Sequence, residues 1–185
     1  MEPSEPKRQT NWVEIFAIAA LVGLLIWSVQ QQSSSPIESG IPLPEMMAQG
    51  WLNTNQPLSR GLVSREKLLG KIVVVDCWAT WCPPCRVAMP KLAKLYAQYH
   101  PLGVEFVGLT PEPAAERRSV EDFIATMPGL DWPIGYGAAP TLDELGITGY
   151  PTVIVFGPSG IAIWSDHFLD GLPEVLDEAL MKRKL

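Results

Sequence analysis

Two cysteines separated by two prolines, Cys82-Pro83-Pro84-Cys85, are the residues of this chain best suited to chemistry. They follow the β-branched run Val73-Val74-Val75 and Asp76, with Trp78 and Trp81 between, and they open a helical pattern. At this spacing two thiols can close into a disulfide and reopen. A helix start favours the thiolate, the working form, through its unpaired N–H groups and its macrodipole. The chemistry suggested is thiol–disulfide exchange. Cys82, at the helix start beside Trp81, is expected to be the attacking nucleophile and the more exposed sulfur. Cys85, one turn in, is expected to be the resolving thiol. Pro83 and Pro84 remove two N–H groups that could have hydrogen-bonded the thiolate. The dipole and the Cys85 N–H then stabilise it only moderately.

Other uses of a Cys-x-x-Cys pair fit the residue inventory less well. A tetrahedral zinc site takes four ligands, usually two such pairs or one pair with closely spaced histidines. This chain has three cysteines, and its two histidines, His100 and His167, lack that spacing, so no metal is expected. A purely structural disulfide across so short a loop would constrain the unfolded chain little. Three cysteines are also too few for a disulfide scaffold. Cys77 alternates to the opposite sheet face from Asp76 and is expected to be an inert core thiol.

The elements that must hold the dithiol follow from hydrophobic pattern. Ile72 to Trp78 is a near-continuous apolar run, the mark of a central strand buried on both faces. The helix after the dithiol places Leu92, Leu95, Tyr96 and Tyr99 on one stripe, and Pro90 is expected to kink it. Val104 to Leu109 is the next strand, which completes a right-handed βαβ unit with parallel strands. Gly50 to Leu62 is expected to supply an N-terminal β element, and Ser64 to Gly70 one helical turn. Ser119 to Met127 forms a second amphipathic helix with Ser119 and Asp122 as a capping pair, and 128–140 a loop rich in Gly and Pro. Thr141-Leu142-Asp143-Glu144 has capping-box form before a short helix. Thr152 to Phe156 and Ile161 to Trp164 make a hairpin through Gly157-Pro158-Ser159-Gly160, and a last helix starts near Pro173. The sum is an α/β fold, a mixed sheet with helices on both faces.

The segment from Asp76 through Cys77-Trp78-Ala79-Thr80-Trp81-Cys82-Pro83-Pro84-Cys85 to Arg86, with Met89-Pro90, resembles the thioredoxin superfamily. Within it, the likeness is to the membrane-tethered proteins of the TlpA/ResA type. A second signature stands at Gly149-Tyr150-Pro151-Thr152. The resemblance covers about residue 50 to the C-terminus. It implies the thioredoxin-like fold and a cis Pro151 facing the dithiol, which presents the Tyr150 backbone to an extended substrate. It also implies that Asp76 is a buried carboxylic acid beneath the dithiol, relaying a proton for Cys85. Trp81, Pro83, Pro84, Tyr150 and Pro151 would then form the substrate surface, and the Cys82–Cys85 disulfide would be the redox group, with no cofactor. Such proteins reduce disulfides outside the cytoplasm, including those of apocytochromes c or copper-site proteins, and draw on a membrane-bound thiol donor. The chain departs from its relatives at Ala88, where a glutamate is frequent, and at Cys77, where an aromatic residue is usual.

Two alternatives belong to other classes. A copper-handling protein could use the cysteines with His167, although copper-delivery relatives of this fold have a three-residue gap between cysteines. A redox-inactive docking module would be expected to have lost a cysteine, and both remain.

The N-terminal part is of a different kind. Residues 12–29 are nearly all apolar, with Glu14 the sole charge and Trp12 and Trp27 near the ends. As a helix they span about 27 Å, close to the hydrocarbon thickness of a membrane. We expect a cytoplasmic N-terminus over 1–11, a transmembrane signal anchor over 12–29, a flexible linker over 30–49 and the thioredoxin-like domain over 50–185. Lys7 and Arg8 precede the span and no basic residue follows it before Arg60, which puts the domain on the extracytoplasmic, periplasmic side of the cytoplasmic membrane. The rival is a cleaved signal peptide ending at Ser33-Ser34-Ser35, for which Pro36 is a poor following residue. With 14 Lys+Arg against 20 Asp+Glu and no basic stripe, nucleic acid is not an expected partner.

Overall fold

A central strand apolar on both faces organises the larger of two units into which the chain divides, Met1–Ser34 and Ser35–Leu185. The computed structural model describes residues 16–18, 20–22, 40–53 and 63–183. In chain order the larger unit runs β1 (Gly50–Leu52), α1 (Arg65–Leu68), β2 (Ile72–Cys77), α2 (Pro83–Tyr99), β3 (Val104–Thr110), α3 (Arg117–Ala125) and β4 (Ile134–Tyr136). It continues with α4 (Ala139–Glu144), β5 (Thr152–Phe156), β6 (Ala162–Asp166) and α5 (Leu172–Arg183). The six strands form one sheet in the order β1-β4-β3-β2-β5-β6. β2 is parallel to β3 and antiparallel to β5, and all its residues are buried.

Alternate residues of β2 enter two separate cores. Ile72 and Val74 pack with Cys85, Met89 and Leu92 of α2, Phe123 of α3 and Leu176 of α5. Val73, Val75 and Cys77 pack on the other side with Leu68 of α1, Leu142 of α4 and Leu43. Helices therefore cover both faces, as a strand apolar on both sides requires. The β5–β6 hairpin turns through Gly157–Gly160, where Gly157 N–H donates to Ile161 O and Gly160 takes φ of +75°, a region open to glycine.

Several boundaries differ from the sequence expectations. β4 lies inside the stretch read as a loop, because a three-residue strand with Gly135 at its centre shows no periodicity. A Cβ at Gly135 would press on Ala48 and the Trp51 ring at 3.0–3.1 Å, so glycine there lets β1 close over the strand. α3 starts at Arg117, and Asp122 pairs with Arg118 at 3.1 Å instead of capping with Ser119. α2 continues through Pro90 to Tyr99 without interruption.

Thr141 is not a cap. α4 begins two residues earlier, and the Thr141 hydroxyl accepts from Met47 N–H at 2.8 Å while lying 3.0 Å from Met47 O. The contact is part of a correction to the linker, which was expected to run to residue 49. Residues 40–49 belong to the folded unit: Leu43 and Met46 are buried, and residues 40–43 pair antiparallel with the start of β6. The segment's buried residues, Leu43, Pro44 and Met46, do not alternate, and Pro42 and Pro44 interrupt the run, so it lacks the pattern that marks a strand. Residues 30–39 lie outside the described residues, as do 54–62 of the expected N-terminal β element.

Residues 16–18 and 20–22 are helical. The rest of the expected span 12–29 lies outside the described residues. Among the described residues, no helix is long and apolar enough to cross a membrane.

Candidate active site

The disulfide heads α2. Cys82 is the N-cap, Pro83 and Pro84 fill the first helical positions, and Cys85 N–H donates to Cys82 Sγ at 3.2 Å. Prolines suit these positions because a helix leaves its first N–H groups unpaired. Cys82 and Cys85 are joined in a disulfide with their Cα atoms 5.4 Å apart. The two residues are 3% and 1% exposed. The expected contrast between an outer and an inner sulfur is therefore slight in this oxidised form. What stands out to solvent is the rim: Trp81, Pro83, Pro84 and Val87.

A second segment closes the site. The Tyr150–Pro151 peptide is cis, and the Tyr150 ring meets the Trp81 indole edge-on at 5.6 Å between centroids. Thr152 Oγ1 donates to Gly149 O at 2.8 Å, and His167 Nδ1 lies 2.8 Å from Pro151 O. A carbonyl only accepts, so Nδ1 carries the proton. His167 thus braces the proline segment from behind. Among the described residues, no group of three or more His, Cys, Asp or Glu is placed to hold a metal ion. A groove runs from Pro84 and Val87 past Tyr150 and Pro151 to Phe168 and Leu169. Of these, Pro84, Val87 and Phe168 join Trp81 in the exposed apolar surface around the disulfide.

Asp76 lies on β2, 4% exposed, and by strand alternation faces the core that contains Cys85. Burial raises its carboxyl from 3.8 to about 7. Its Oδ2 has no hydrogen-bond partner among the described residues. Cys77 turns to the opposite core, and its thiol is pushed well up by burial and, secondarily, by Asp76. Tyr150 is also raised, to about 12, by burial first and then by Cys77, Glu112 and Asp143. The five residues expected at a substrate surface, Trp81, Pro83, Pro84, Tyr150 and Pro151, surround one disulfide. Such an arrangement can exchange disulfides: one thiolate attacks, a second thiol one turn away resolves, and a carboxyl group that titrates near neutrality can hold a proton.

The family model described as thioredoxin-like matches residues 70–162, from the glycine before β2 to the first residue of β6. The chain belongs to the thioredoxin-like family. Among curated thioredoxin-like relatives, the protein YneN of Bacillus subtilis (strain 168) is 30% identical over 82% of this chain and 86% of its own. The thiol-disulfide oxidoreductase ResA of Halalkalibacterium halodurans is 34% identical over 53% of this chain and 54% of its own. The thiol:disulfide interchange protein DsbE of Allochromatium vinosum is 28% identical over 80% and 84%. In fold, a solved thiol-disulfide isomerase from Corynebacterium glutamicum superposes with a TM-score of 0.61, at 24% identity over 76% of this chain and 96% of that one. The protein is a thioredoxin-type thiol–disulfide oxidoreductase of the ResA/TlpA kind.

Glu112 of this thioredoxin-like site gave no signal in the sequence, and Arg86 entered it only as the end of the dithiol motif. Glu112, two residues past β3, is 2% exposed and accepts from Thr80 N–H at 2.6 Å. Arg86 of α2 donates from Nη2 to Thr80 O at 3.0 Å and lies over the Phe123 ring at 4.6 Å. Thr80 lies 32 residues before Glu112, so only the fold brings these two together.

Proposed function

We propose that this protein reduces disulfides of exported proteins, apocytochromes c among them, from a membrane anchor formed by residues 12–29. The thioredoxin-like domain works on the extracytoplasmic side. Cys82 is the nucleophile, Cys85 resolves, Asp76 takes the proton, and Trp81, Pro83, Pro84, Tyr150 and Pro151 receive the substrate chain. The observation that carries this reading is a single disulfide at the head of α2, ringed by the exposed apolar side chains of Trp81, Val87 and Phe168. Such a rim suits an unfolded or extended protein segment better than a small polar substrate. The redox-active disulfide needs no further cofactor, and a membrane-bound thiol protein supplies the electrons.

The direction follows from how little supports the thiolate. Two prolines take the place of N–H donors, the Cys85 N–H is the local donor to Cys82 Sγ, and an ionised Asp76 disfavours a second negative charge. A strong oxidase depends on a stabilised thiolate. We therefore expect a reduction potential nearer about −270 mV than about −120 mV. Titration against a glutathione couple measures it, and an oxidase-like potential would overturn the reductase direction.

The anchor is tested by fractionation and by protease access in intact spheroplasts. The protein is expected in the membrane fraction, with its domain digested from outside. A soluble form beginning after Ser35 would replace the anchor with a cleaved signal peptide.

A further inference from the structure

We propose that Glu112 is a positioning residue for exchange, pinning the Thr80 turn, and through it Trp81 and Cys82, to the end of β3. The inference rests on the thiol–disulfide exchange chemistry above. Glu112 stands between Pro111 and Pro113, whose rings fix their own φ angles, and its backbone carbonyl accepts from Gly137 N–H at 2.6 Å. The side chain is therefore delivered from a backbone held on both sides.

Its carboxyl group meets three donors. Thr80 N–H and the Thr80 hydroxyl donate to Oε1 at 2.6 and 2.7 Å, and the Thr110 hydroxyl donates to Oε2. Two of the three belong to the loop that carries the nucleophile. No Lys or Arg is paired with it among the described residues. A carboxyl group this deeply buried is tolerated only when hydrogen-bonded, so site and loop hold each other in place.

The loop has few other fixed points. Trp78 N–H is held by Leu109 O and Cys82 N–H by Ala79 O, which leaves the Thr80–Trp81 crest between them. Arg86 ties the crest through Thr80 O from the α2 side, and Glu112 ties it from the β3 side. Trp81 itself is 66% exposed and touches the Tyr150 ring edge-on. Its aim, and that of Cys82 beside it, is set at Thr80. A loosened crest would let the substrate surface drift away from the sulfur, which small displacements make costly.

The test compares Glu112→Gln with Glu112→Ala in the whole chain, in detergent. Glutamine keeps an oxygen acceptor for Thr80 and offers the Thr110 hydroxyl a donor in place of an acceptor; alanine removes both contacts. With insulin as the disulfide substrate and dithiothreitol as reductant, Glu112→Ala is expected to lose about tenfold or more in kcat/KM, mainly through KM. Glu112→Gln is expected within about threefold of the parent. The rate of Cys82 alkylation by iodoacetamide in the reduced proteins should move with the alanine variant and return with glutamine. Should Glu112→Ala fail to fold, Thr80→Val, which drops only the hydroxyl donor, is expected to show an intermediate loss.

An alanine variant that is merely less thermostable, with kcat/KM and alkylation unchanged, would overturn the proposal. So would a glutamine variant as impaired as alanine, which would assign the effect to charge, or an unaffected Thr80→Val. If the parent protein reduces no disulfide, the exchange reading falls, while the alkylation comparison still decides the role of Glu112.

Discussion

Replacing Cys82 with serine is expected to reduce turnover of protein disulfides to background, and replacing Cys85 with serine to halt it at a covalent complex. In the first step the Cys82 thiolate attacks one sulfur of the substrate disulfide. A Cys82–substrate bond forms, and the second substrate sulfur leaves as a thiolate that takes up a proton. In the next step the Cys85 thiolate attacks Cys82 Sγ, closes the Cys82–Cys85 disulfide and releases the other substrate thiol. Two electrons pass from the protein to the substrate. A serine at 82 cannot begin this sequence, because a hydroxyl is a far weaker nucleophile than a thiolate at neutral pH. A serine at 85 removes only the second attack, so the mixed disulfide accumulates and can be isolated. Non-reducing electrophoresis of cells carrying Cys85→Ser reads the result. The proteins held on Cys82 then separate cytochrome precursors, general secreted proteins and copper proteins as clients. Cys77→Ser should leave turnover largely intact, since Cys77 is buried on the opposite face of β2. Equal losses at Cys77 and Cys82 would sink the two-thiol account.

Asp76→Asn should make the protein more stable and less active, both in a pH-dependent way. The Asp76 carboxyl rises from 3.8 to about 7 in the fold, so between these values the native state binds the extra proton. Stability contributed by the neutral acid is fully present below about pH 4 and is lost as pH rises through about 7. The difference amounts to roughly 4 kcal/mol by proton linkage. Asparagine does not ionise. At pH 8 the variant is expected to exceed the parent by about 2–4 kcal/mol in unfolding free energy, and near pH 4 by little or nothing. The same substitution removes the proton acceptor proposed for Cys85, so kcat should fall and its dependence on a group titrating near pH 7 should vanish. Urea unfolding at the two pH values, alongside a pH–rate profile, checks both halves. A stability gain independent of pH would show that burial does not hold Asp76 neutral. A cost of this size, carried in the middle of the sheet, is what a functional site imposes on a fold.

How much of this was legible in the sequence depended on how local the signal is. β2 declared itself because a strand buried on both faces must be apolar throughout, so its single charge, Asp76, stood out. The dithiol and the proline at 151 lie in short contiguous motifs. β4 was invisible because three residues cannot show a period, and its glycine answers to Trp51 and Ala48, which are remote in sequence. The capping reading of Thr141 failed for a related reason. The hydroxyl was claimed by Met47, 94 residues away. Glu112 was hidden in the same way, since nothing in Pro111-Glu112-Pro113 says that Thr80 is across from it. Contacts that close between distant loops leave no pattern in a single chain.

The pairing of residues 40–43 along the start of β6 also bears on a hazard peculiar to this trade. β6 is the outermost strand of the sheet, and an uncovered outer strand invites any extended polypeptide to add itself. A protein that acts on disulfides of other chains would meet such polypeptides if its clients arrive extended. Here the start of that strand is occupied by the chain's own residues 40–43, and Pro42 among them has no N–H to offer a further neighbour. Strand addition is discouraged at that margin.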